Sequence, residues 1–337
     1  MKTIYLKKNK KYFENKTICV TGGAGFIGGH VVEELSKIKC KIIILDNLST
    51  GTKKNTKNVK FFKRDLSSAK DLKKILKNTD YVFHLAALAD IVPSIENPKK
   101  YFDSNVVSTF NLIDNLNIKK IKKFIYIASS SCYGIPKKYP TDESSKIDVQ
   151  YPYALTKYLG EEIVMHWAKV YKLKAISLRL FNVYGTRSRT SGAYGAVFGV
   201  FLAQKINNKP LTVVGDGNQS RDFTYVTDIV NAILAAAKSK QTNRVYNIAS
   251  GKPKKVNEIV KKLKHFKINI KKRPGEPDFT WGNAKRANKE LKWYTTVGFN
   301  EGINELIKNI KHWKNAPVWT VKKINIATKT WFELLKK

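Results

Sequence analysis

A tyrosine and a lysine stand four residues apart in Pro152-Tyr-Ala-Leu-Thr-Lys157, and side chains of these two types can together move a proton. Residues 153–171 have a helical pattern, so this spacing places both side chains on one face of a helix. A tyrosine with a pKa of about 10 is a poor base at neutral pH. A neighbouring lysine ammonium would favour the phenolate and bring its pKa towards the working pH. Tyr153 and Lys157 are therefore predicted to be catalytic.

The element that gives this pair a chemical context lies far upstream, between Lys16 and Asp46. A short apolar run at Thr17–Thr21 predicts a buried strand, and a glycine-rich turn leads from it into a helix-patterned segment that ends at Lys37. A second apolar strand, Lys41–Leu45, runs into Asp46. Strand, glycine turn, helix, strand and acid follow one another as in a dinucleotide-binding unit.

Three glycines in the turn have separate physical tasks. Gly22 permits a tight turn, Gly25 lets a pyrophosphate approach the backbone, and Gly28 lets the helix pack close to the strand. The helix N-terminus presents free N–H groups to the phosphates. Asp46 can accept hydrogen bonds from both ribose hydroxyls, and its charge would repel a 2′-phosphate. The sequence therefore favours NAD over NADP as the cofactor.

Strands and helices alternate as far as Leu180, which predicts an α/β fold with a Rossmann-type, doubly wound, mostly parallel sheet. A long helix is expected over Ser94–Leu116. From Phe181 the pattern becomes irregular, and a smaller C-terminal α/β lobe is expected to bind the substrate. The expected division is a basic N-terminal extension (1–15), an NAD-binding Rossmann domain (16–180, with 223–247 returning to it), the substrate lobe (181–222 and 248–311) and a helical tail (312–337).

Composition narrows the functional classes. The formal net charge is +37, but only eight of the 63 basic residues are arginines, and the lysines are scattered through every segment. Specific nucleic-acid binding would require a basic stripe with interleaved aromatic residues or a known module, and the sequence has neither. Three cysteines are too few for a disulfide framework or a zinc site, so no metal is expected and a reducing cytoplasm fits. No apolar run approaches the roughly 18 residues of a membrane span, so no membrane contact is expected.

Two further residues invite a chemical interpretation that the sequence does not favour. His84 lies on a predicted buried strand, where a histidine is more often a hydrogen-bonded core residue than an acid or base. Cys132 precedes Tyr133 and is interpreted as a buried structural thiol.

Four segments, together with the Tyr153/Lys157 pair, resemble the extended short-chain dehydrogenase/reductase superfamily. They are TGGAGFIG (21–28), RLFNVYG (179–185), GDGNQSRDFTYVTD (215–228) and RPGE (273–276). In this combination and order they resemble most closely its NAD-dependent nucleotide-sugar epimerase/dehydratase family. The resemblance spans about residues 16 to 310, and the two ends of the chain lie outside it.

The resemblance implies roles for individual residues. Ser129 stands four residues before the Tyr133-Gly134 pair and would hydrogen-bond the reacting oxygen, as a third catalytic residue. The residues implied for the substrate are Ser94, Ser130, Ser131, Asn182, Arg187, Arg221, Arg273, Glu276 and Thr280, with Asn182, Arg221 and Arg273 on the diphosphate and Glu276 on the ribose. Guanidinium groups suit a diphosphate better than lysine does. The residues assigned to NAD are Gly22, Gly25, Phe26, Ile27, Gly28, Asp46, Asn47, Asp65, Leu66, Leu85, Ala86, Ala87, Asn105, Tyr153 and Lys157.

The reaction is chosen by the residues beside Ser129. Nucleotide-sugar dehydratases of the family place acids just after this serine, and decarboxylases usually have a glutamate there. Here the positions are Ser130 and Ser131, which cannot remove a C5 proton. The expected reaction is therefore 4-epimerisation of a UDP-sugar: oxidation at C4, rotation of the 4-keto sugar and re-reduction, with NAD regenerated.

The sugar and the assembly rest on the resemblance alone. The seventh residue after Arg273 lines the sugar pocket in the family, and here it is the small Thr280, which favours UDP-N-acetylglucosamine over UDP-glucose. UDP-glucuronate, a 4-keto reductase, a 4,6-dehydratase and a non-catalytic nucleotide sensor remain the alternatives. A homodimer is implied, built through a four-helix bundle of the helices Ser94–Leu116 and Tyr153–Tyr171.

Overall fold

The computed structural model describes residues 9–52, 59–188 and 197–335 of the 337-residue chain. The beginning of the expected basic extension, parts of the loops after Asn47 and Gly185, and the end of the tail lie outside the described residues. Among the helices of the described part, none is long and apolar enough to cross a membrane.

The strands and helices follow one another in regular alternation through the first half of the chain. The strands are β1 (Thr17–Thr21), β2 (Lys41–Asp46), β3 (Lys60–Lys63), β4 (Tyr81–His84), β5 (Lys123–Ser129), β6 (Ala175–Leu180), β7 (Asn182–Tyr184), β8 (Leu211–Val214), β9 (Ser220–Arg221), β10 (Phe223–Tyr225), β11 (Arg244–Ile248), β12 (Lys254–Lys255) and β13 (Lys267–Ile270). The α-helices are α1 (Phe26–Leu35), α2 (Leu72–Leu76), α3 (Ile91–Glu96), α4 (Pro98–Phe102), α5 (Ser108–Asp114), α6 (Pro152–Val170), α7 (Val197–Ile206), α8 (Val226–Lys238), α9 (Val256–Leu263), α10 (Lys285–Leu291), α11 (Phe299–Lys308), α12 (Val321–Ala327) and α13 (Lys329–Leu334).

Seven parallel strands form the central sheet in the order β11-β6-β5-β4-β1-β2-β3. This is the strand order of a dinucleotide-binding Rossmann sheet with one additional strand at the β6 edge. Strand β1 lies between β2 and β4, and its last residue Thr21 is in register with Leu45 on one side and His84 on the other. The carboxyl ends of these strands therefore meet at one edge of the sheet. The predicted Rossmann-type α/β fold is confirmed.

Alternate residues of the strands feed two cores, one on each face of the sheet. Ile18, Val20 and Ile44 belong to the core on the face covered by α1 and α8. Cys19 and Leu45 belong to the core on the opposite face, under α5 and α6. Helices thus cover both faces, which is why the central strands are apolar throughout rather than alternating.

The helix expected over Ser94–Leu116 is wrong as a single element. The segment is divided into α3, α4, a π-helical turn (Asp103–Val107) and α5. Asn97 has φ −133° and ψ 61°, outside the helical region, because Pro98 disfavours helical backbone in the residue before it. The expected helical tail is also divided, into α12 and α13, at Thr328, whose backbone has φ −99° and ψ 3°, outside the helical region.

A smaller lobe follows β6 and has its own core. Its strands form three two-stranded sheets, β7 with β10, β9 with β12, and β8 with β13. The core is aromatic, with Tyr184, Phe198, Phe223 and Phe299 in mutual ring contact. Strand β11 lies in the central sheet beside β6, so the chain returns to the larger sheet after entering this lobe. The domain boundaries given above stay a prediction.

A helical turn at residues 9–13 lies before β1. Its Phe13 is fully buried, with its ring centroid 5.2 Å from that of Tyr81 and 6.3 Å from that of Phe83. At least this part of the basic extension therefore belongs to the core.

A buried ion pair fixes helix α6 to the central sheet. Arg179 of β6 donates from Nε and Nη2 to the carboxylate of Glu161, and the hydroxyl of Ser177 donates to the same carboxylate at 2.7 Å. Arg179 also donates from Nη1 to the hydroxyl of Tyr133 at 2.9 Å. Glu161 lies one turn beyond Lys157, so the pair sets the position of the helix that carries Tyr153 and Lys157.

Replacing Arg179→Met is expected to lower the free energy of unfolding by about 3–5 kcal/mol, because Glu161 would be left as an uncompensated buried charge. Urea denaturation followed by circular dichroism measures the change. The double variant Glu161→Met/Arg179→Met is the control and should regain most of the loss, since neither member of the pair is left as an unpaired charge. A double variant as unstable as the single one would contradict this account.

Candidate active site

The glycine turn between β1 and α1 leaves no room for side chains at its two ends. Gly22 has φ +67°, and a Cβ there would lie 2.7 Å from the backbone nitrogen of Ala86 at the end of β4. A Cβ at Gly28 would lie 2.1 Å from the carbonyl oxygen of Gly22. Helix α1 therefore packs directly against the turn, and its N-terminus, capped by Gly25, opens into the cleft at the sheet edge.

Asp46 holds this turn together and borders the cleft. Its carboxylate accepts hydrogen bonds from the backbone N–H of Ala24 at 3.0 Å and of Leu48 at 2.8 Å. Arg64 also borders the cleft, but its guanidinium donates to Asp71 from Nε and Nη2, so its charge is engaged there. A carboxylate facing the ribose position with the nearby guanidinium committed elsewhere fits NAD better than NADP.

The cleft has a volume of about 910 Å³, which suits a dinucleotide. Most of the residues predicted for NAD line it: Gly22, Gly25, Phe26, Ile27, Gly28, Asp46, Asn47, Asp65, Leu66, Leu85, Ala86 and Ala87. Asn47 donates to the Asp65 carboxylate at 2.9 Å, so these two side chains form one wall. The backbone N–H groups of Leu85 and Ala86 both donate to the hydroxyl of Thr21 at 3.1 Å, which holds the wall at the end of β4.

In this structure Asn105 and Ser94 bond to other groups of the protein, and their assignment to ligands stays a prediction. Asn105 lies beneath the cleft, buried, where its side chain accepts from the N–H of Leu88 and donates to the Leu88 carbonyl and to Thr156. It holds the segment that follows β4 and does not line the cleft. Ser94 is fully buried, and its hydroxyl donates to the carbonyl of Ile91 at 2.6 Å within helix α3. The polar groups of these two side chains, which were assigned to ligands, therefore bond to nearby groups of the protein.

His84 and Cys132 are core residues, as interpreted from the sequence. His84 is 1% exposed and bonds through its two ring nitrogens to the hydroxyls of Thr21 and Thr109, at 2.7 and 2.9 Å. Burial lowers the pKa of His84 to about 3, so it is neutral at physiological pH. Burial raises the pKa of the Cys132 thiol to about 12, so it is not a thiolate.

Tyr153 meets two serine hydroxyls at the end of β5. Ser129 is the last residue of that strand, and its Oγ lies 2.7 Å from Oγ of Ser131 and accepts the N–H of Ser131 at 3.2 Å. Burial raises the pKa of Tyr153, while hydrogen bonds to Ser129 and Ser131 lower it, and the charge of Asp90 raises it. The three predicted residues Tyr153, Ser129 and Ser131 are thus brought together.

Lys157 lies one helical turn beyond Tyr153, 6% exposed, with its Nζ 4.4 Å from the centre of the Tyr126 ring. The Tyr126 hydroxyl donates to the backbone carbonyl of Lys157 at 3.0 Å and so fixes the ring beneath it. Burial lowers the pKa of Lys157 to about 7, although the Glu161 carboxylate raises it in part. The ammonium is therefore close to releasing its proton at neutral pH, which makes it sensitive to any charge that enters the cleft.

A triad of charges forms the predicted diphosphate site in the smaller lobe. Glu276 accepts from Nη2 of Arg221 at 2.9 Å, and its other oxygen lies 3.1 Å from Nε of Arg273. Burial would raise the pKa of Glu276, but the Arg273 and Arg221 guanidiniums lower it below its usual value. Arg221 and Glu276 border a cavity of about 220 Å³. Two guanidiniums against one carboxylate leave a net positive, pre-oriented pair for an anion.

Thr280 and Asn182 are brought together by the same lobe. Thr280 donates from its hydroxyl to Oδ1 of Asn182 at 3.2 Å, and that hydroxyl accepts the N–H of Asp222 at 3.0 Å. The Asp222 carboxylate accepts from the backbone of Ser250, Gly251 and Gly282, so it joins the loops around this point. These hydrogen bonds hold the short side chain of Thr280 in place.

Arg187 lines the NAD cleft and does not border the smaller cavity beside Arg221. Its Nη2 lies 2.7 Å from the Glu33 carboxylate, and its Nε lies 3.4 Å from Nε2 of His30 on helix α1. The assignment of Arg187 to the substrate, which the resemblance implied, stays a prediction.

Sequence reasoning missed several residues at the site. Tyr151 stacks on Tyr153 with ring planes 6° apart and centroids 6.4 Å apart, and its pKa is raised by burial and by its neighbours Tyr153 and Glu276. The sequence could have indicated Tyr151, because this residue directly precedes helix α6 and stands two residues before Tyr153. The cleft is also bordered by the beginning of the tail, at His312, Trp313, Asn315, Ala316 and Pro317. Nothing in the sequence pattern indicated that contact.

Comparisons with known proteins agree with this geometry. The family model described as the NAD dependent epimerase/dehydratase family matches residues 18–249. A UDP-glucuronate 4-epimerase of Thermodesulfobacterium geofontis is 32% identical, over 87% of this chain and 98% of that protein. A structure of UDP-N-acetylglucosamine 4-epimerase from Methanobrevibacter ruminantium, in complex with UDP-N-acetylmuramic acid, is 34% identical with a TM-score of 0.82, over 88% of this chain and 98% of that one. A UDP-glucuronic acid 4-epimerase from Bacillus cereus, in complex with UDP-glucuronic acid and NAD, is 30% identical with a TM-score of 0.81, over 88% of this chain and 99% of that one.

The match extends over more than half of the chain and includes the glycine turn, the Tyr153/Lys157 helix and Arg221. The fold, the cleft and the residues that line it all agree with it. This chain belongs to the NAD-dependent epimerase/dehydratase family.

Proposed function

We propose that the protein is a UDP-sugar 4-epimerase that uses NAD. The observation that carries the proposal is the grouping of Tyr153 with Ser129 and Ser131, whose hydrogen bonds lower the pKa of Tyr153, and with the buried Lys157 one helical turn further along. This group can move a proton at an alcohol oxygen, and it contains no carboxylate at the positions after Ser129 that would remove a C5 proton. Relatives with the names of UDP-sugar 4-epimerases support the same reaction.

NAD, held by the residues that line the cleft, would supply the reversible hydride acceptor that oxidation and re-reduction at C4 require. The phenolate oxygen of Tyr153 takes the proton from the C4 hydroxyl, while Ser129 holds the reacting oxygen by a hydrogen bond. Lys157 favours the phenolate form of Tyr153, since a nearby positive charge lowers a tyrosine pKa. After the 4-keto sugar has rotated, Tyr153 returns the proton to the same oxygen.

Arg221 and Arg273 are proposed to bind the diphosphate, and Glu276 keeps both guanidiniums oriented between turnovers. Binding at two guanidiniums leaves the sugar free to turn, because the anchored part of the substrate is the nucleotide and not the hexose. This separation is what a rotating intermediate requires.

The sugar is proposed to be UDP-N-acetylglucosamine. Thr280 supports this, because its short side chain is tied to Asn182 and Asp222 and leaves space that a bulky residue would fill. The relative from Methanobrevibacter ruminantium has the name of a UDP-N-acetylglucosamine 4-epimerase.

The three described cysteines are unpaired thiols, which supports a cytoplasmic enzyme.

A homodimer is proposed through α4, α5 and α6. Phe102, Phe110 and Leu155 are each more than 40% exposed on these helices. The Phe110 ring packs edge-on against Trp167 with centroids 5.7 Å apart, so an apolar surface joins α5 to α6. Apolar side chains in such a group favour burial against another chain.

Purified protein is expected to convert UDP-N-acetylglucosamine into its C4 epimer without added cofactor, with slower or no conversion of UDP-glucose and UDP-glucuronate. Proton NMR of the sugars measures the conversion. Tyr153→Phe should reduce kcat by about 10²–10⁴-fold, because the proton acceptor is lost, and leave the bound NAD content unchanged. Turnover by Tyr153→Phe at the wild-type rate would contradict the mechanism, and a 4-keto-6-deoxy product would identify a dehydratase instead.

Replacing Lys157→Met is expected to raise the free energy of unfolding of cofactor-free protein at pH 6, by an amount on the order of a few kcal/mol. The pKa of this lysine is about 7 in the folded chain and about 10.4 in an unfolded one. Below pH 7 both states bind the proton and the whole cost of burying the charge is present. Between pH 7 and about 10.4 only the unfolded state binds it, so wild-type stability rises with pH and the advantage of Lys157→Met shrinks.

Urea unfolding at pH 6 and at pH 9 measures this difference. Lys169→Met is the matched control, since Lys169 is exposed in the last turn of the same helix. The control should have little effect at either pH. A stability difference for Lys157→Met that is the same at both pH values would contradict the assignment.

Phe110→Arg is expected to convert a dimer into a monomer of 38.4 kDa, because a charge would be buried in the proposed interface. Size-exclusion chromatography with light scattering measures the mass. Phe266→Arg is the control, since Phe266 is 54% exposed but lies in the smaller lobe. A wild-type protein that is monomeric, or a dimer unaffected by Phe110→Arg, would show that this surface is not the interface.

A further inference from the structure

The C-terminal segment, residues 312–335, lies outside the region that the family model matches, which ends at residue 249. The segment nevertheless begins at the NAD cleft, where five of its first six residues line the cavity. Trp313 among them is 1% exposed and packs in the core of the smaller lobe.

The segment is fastened along its length. The side chain of Gln204, fully buried on α7, donates to the carbonyl of Trp319 at 2.7 Å. Thr320 then caps helix α12. Ile324, Thr328 and Trp331 are each at most 2% exposed. Because every turn of the segment has a buried anchor, its end has a fixed position in the fold.

That end reaches the predicted diphosphate site. The guanidinium carbon of Arg273 lies 5.3 Å from the centre of the Trp331 ring. The indole N–H of Trp331 donates to the carbonyl of Pro274 at 2.9 Å, so the ring is tied to the loop that carries Arg273. A guanidinium over the face of a tryptophan ring is attracted by the ring's electron density. Arg273 is therefore held between the Trp331 ring and the Glu276 carboxylate.

Helix α13 also packs against α3. Helix α3 begins directly after Asp90, which borders the NAD cleft and whose charge acts on Tyr153. The C-terminal segment thus contacts the sheet-edge half of the site and the Arg273 loop of the smaller lobe at once.

We propose that Trp331 is a positioning residue for substrate binding, and that the C-terminal segment is the part of this enzyme that holds Arg273 ready for the diphosphate. The proposal rests on the proposed function, in which Arg273 binds that diphosphate. An arginine side chain has large rotational freedom, and ordering it at the moment of binding lowers affinity. A ring that orders it beforehand removes this cost without touching the substrate.

The test compares UDP, which has a diphosphate, with uridine, which lacks one, as ligands of the NAD-loaded enzyme in isothermal titration calorimetry. Trp331→Leu should weaken UDP binding on the order of 10-fold and leave uridine binding unchanged. KM for the UDP-sugar should rise with kcat and NAD content unaltered. Trp331→Phe should lie between wild type and Trp331→Leu, because it keeps a ring over the guanidinium. In an Arg273→Met background, Trp331→Leu should have little further effect on UDP binding.

Phe332→Leu is the matched control. Phe332 is the neighbouring residue on the same helix, and its ring faces Lys271 at 5.3 Å instead of Arg273. This variant should bind UDP as wild type does. If Trp331→Leu does not yield folded protein, the intermediate loss in Trp331→Phe decides the question.

Three results would overturn the inference: unchanged UDP binding in Trp331→Leu, an equal loss of UDP and uridine binding, or an equal loss in Phe332→Leu. If wild-type enzyme binds neither UDP nor its UDP-sugars, the proposed function itself fails and the inference fails with it. Failure of the proposed function can be told from failure of the inference, because it is visible in the wild-type enzyme without any variant.

Discussion

Parallel strands end together, and most of the site depends on this one constraint. The carboxyl ends of β1, β2, β4 and β5 lie at one edge of the sheet, so the glycine turn, Asp46 and the small residues after His84 share a cleft, and Ser129 ends its strand at the same edge. These residues are separated by more than 100 positions in sequence. No interaction between them is needed to bring them together, because the hydrogen-bonded register of the strands does so. What the side chains add is local: Asp46 closes the turn and Thr21 closes the wall beside it.

The interior charges are stabilised in three different ways, and each way suits its role. Glu161 and Arg179 satisfy one another and hold a helix still. Glu276 is shared by Arg221 and Arg273, which leaves a net positive charge for an anion. Lys157 has an aromatic ring below it and a more distant carboxylate, and burial nevertheless lowers its pKa to about 7. The fully paired charges are therefore structural, whereas the incompletely compensated ones lie where ligands are expected.

Sequence reasoning succeeded where one local rule determines the structure. The strand Thr17–Thr21 has the predicted bounds, since an apolar run that ends at a glycine turn has few other solutions. It failed where tertiary contacts decide. Asn105 and Ser94 have the right chemistry for ligands, but nearby backbone groups use it. Arg187 was assigned by the resemblance, and the contacts of its guanidinium with Glu33 and His30 of α1 had no signal in the sequence. The division of the long helix at Asn97 was within reach of the sequence, because Pro98 marks it.

The helical turn at residues 9–13 shows that the folded core includes residues outside the region that the family model matches. The region matched by the family model begins at residue 18, yet Phe13 fills space between Tyr81 and Phe83 under strand β4. A chain shortened to the matched region would leave a void the size of a phenyl ring beneath the strand that leads to Ala86. Loss of a buried phenylalanine side chain costs about 3–5 kcal/mol, a large part of the stability of an ordinary domain. The folded unit of this protein therefore begins at least at Phe13, several residues before the region that the family model matches.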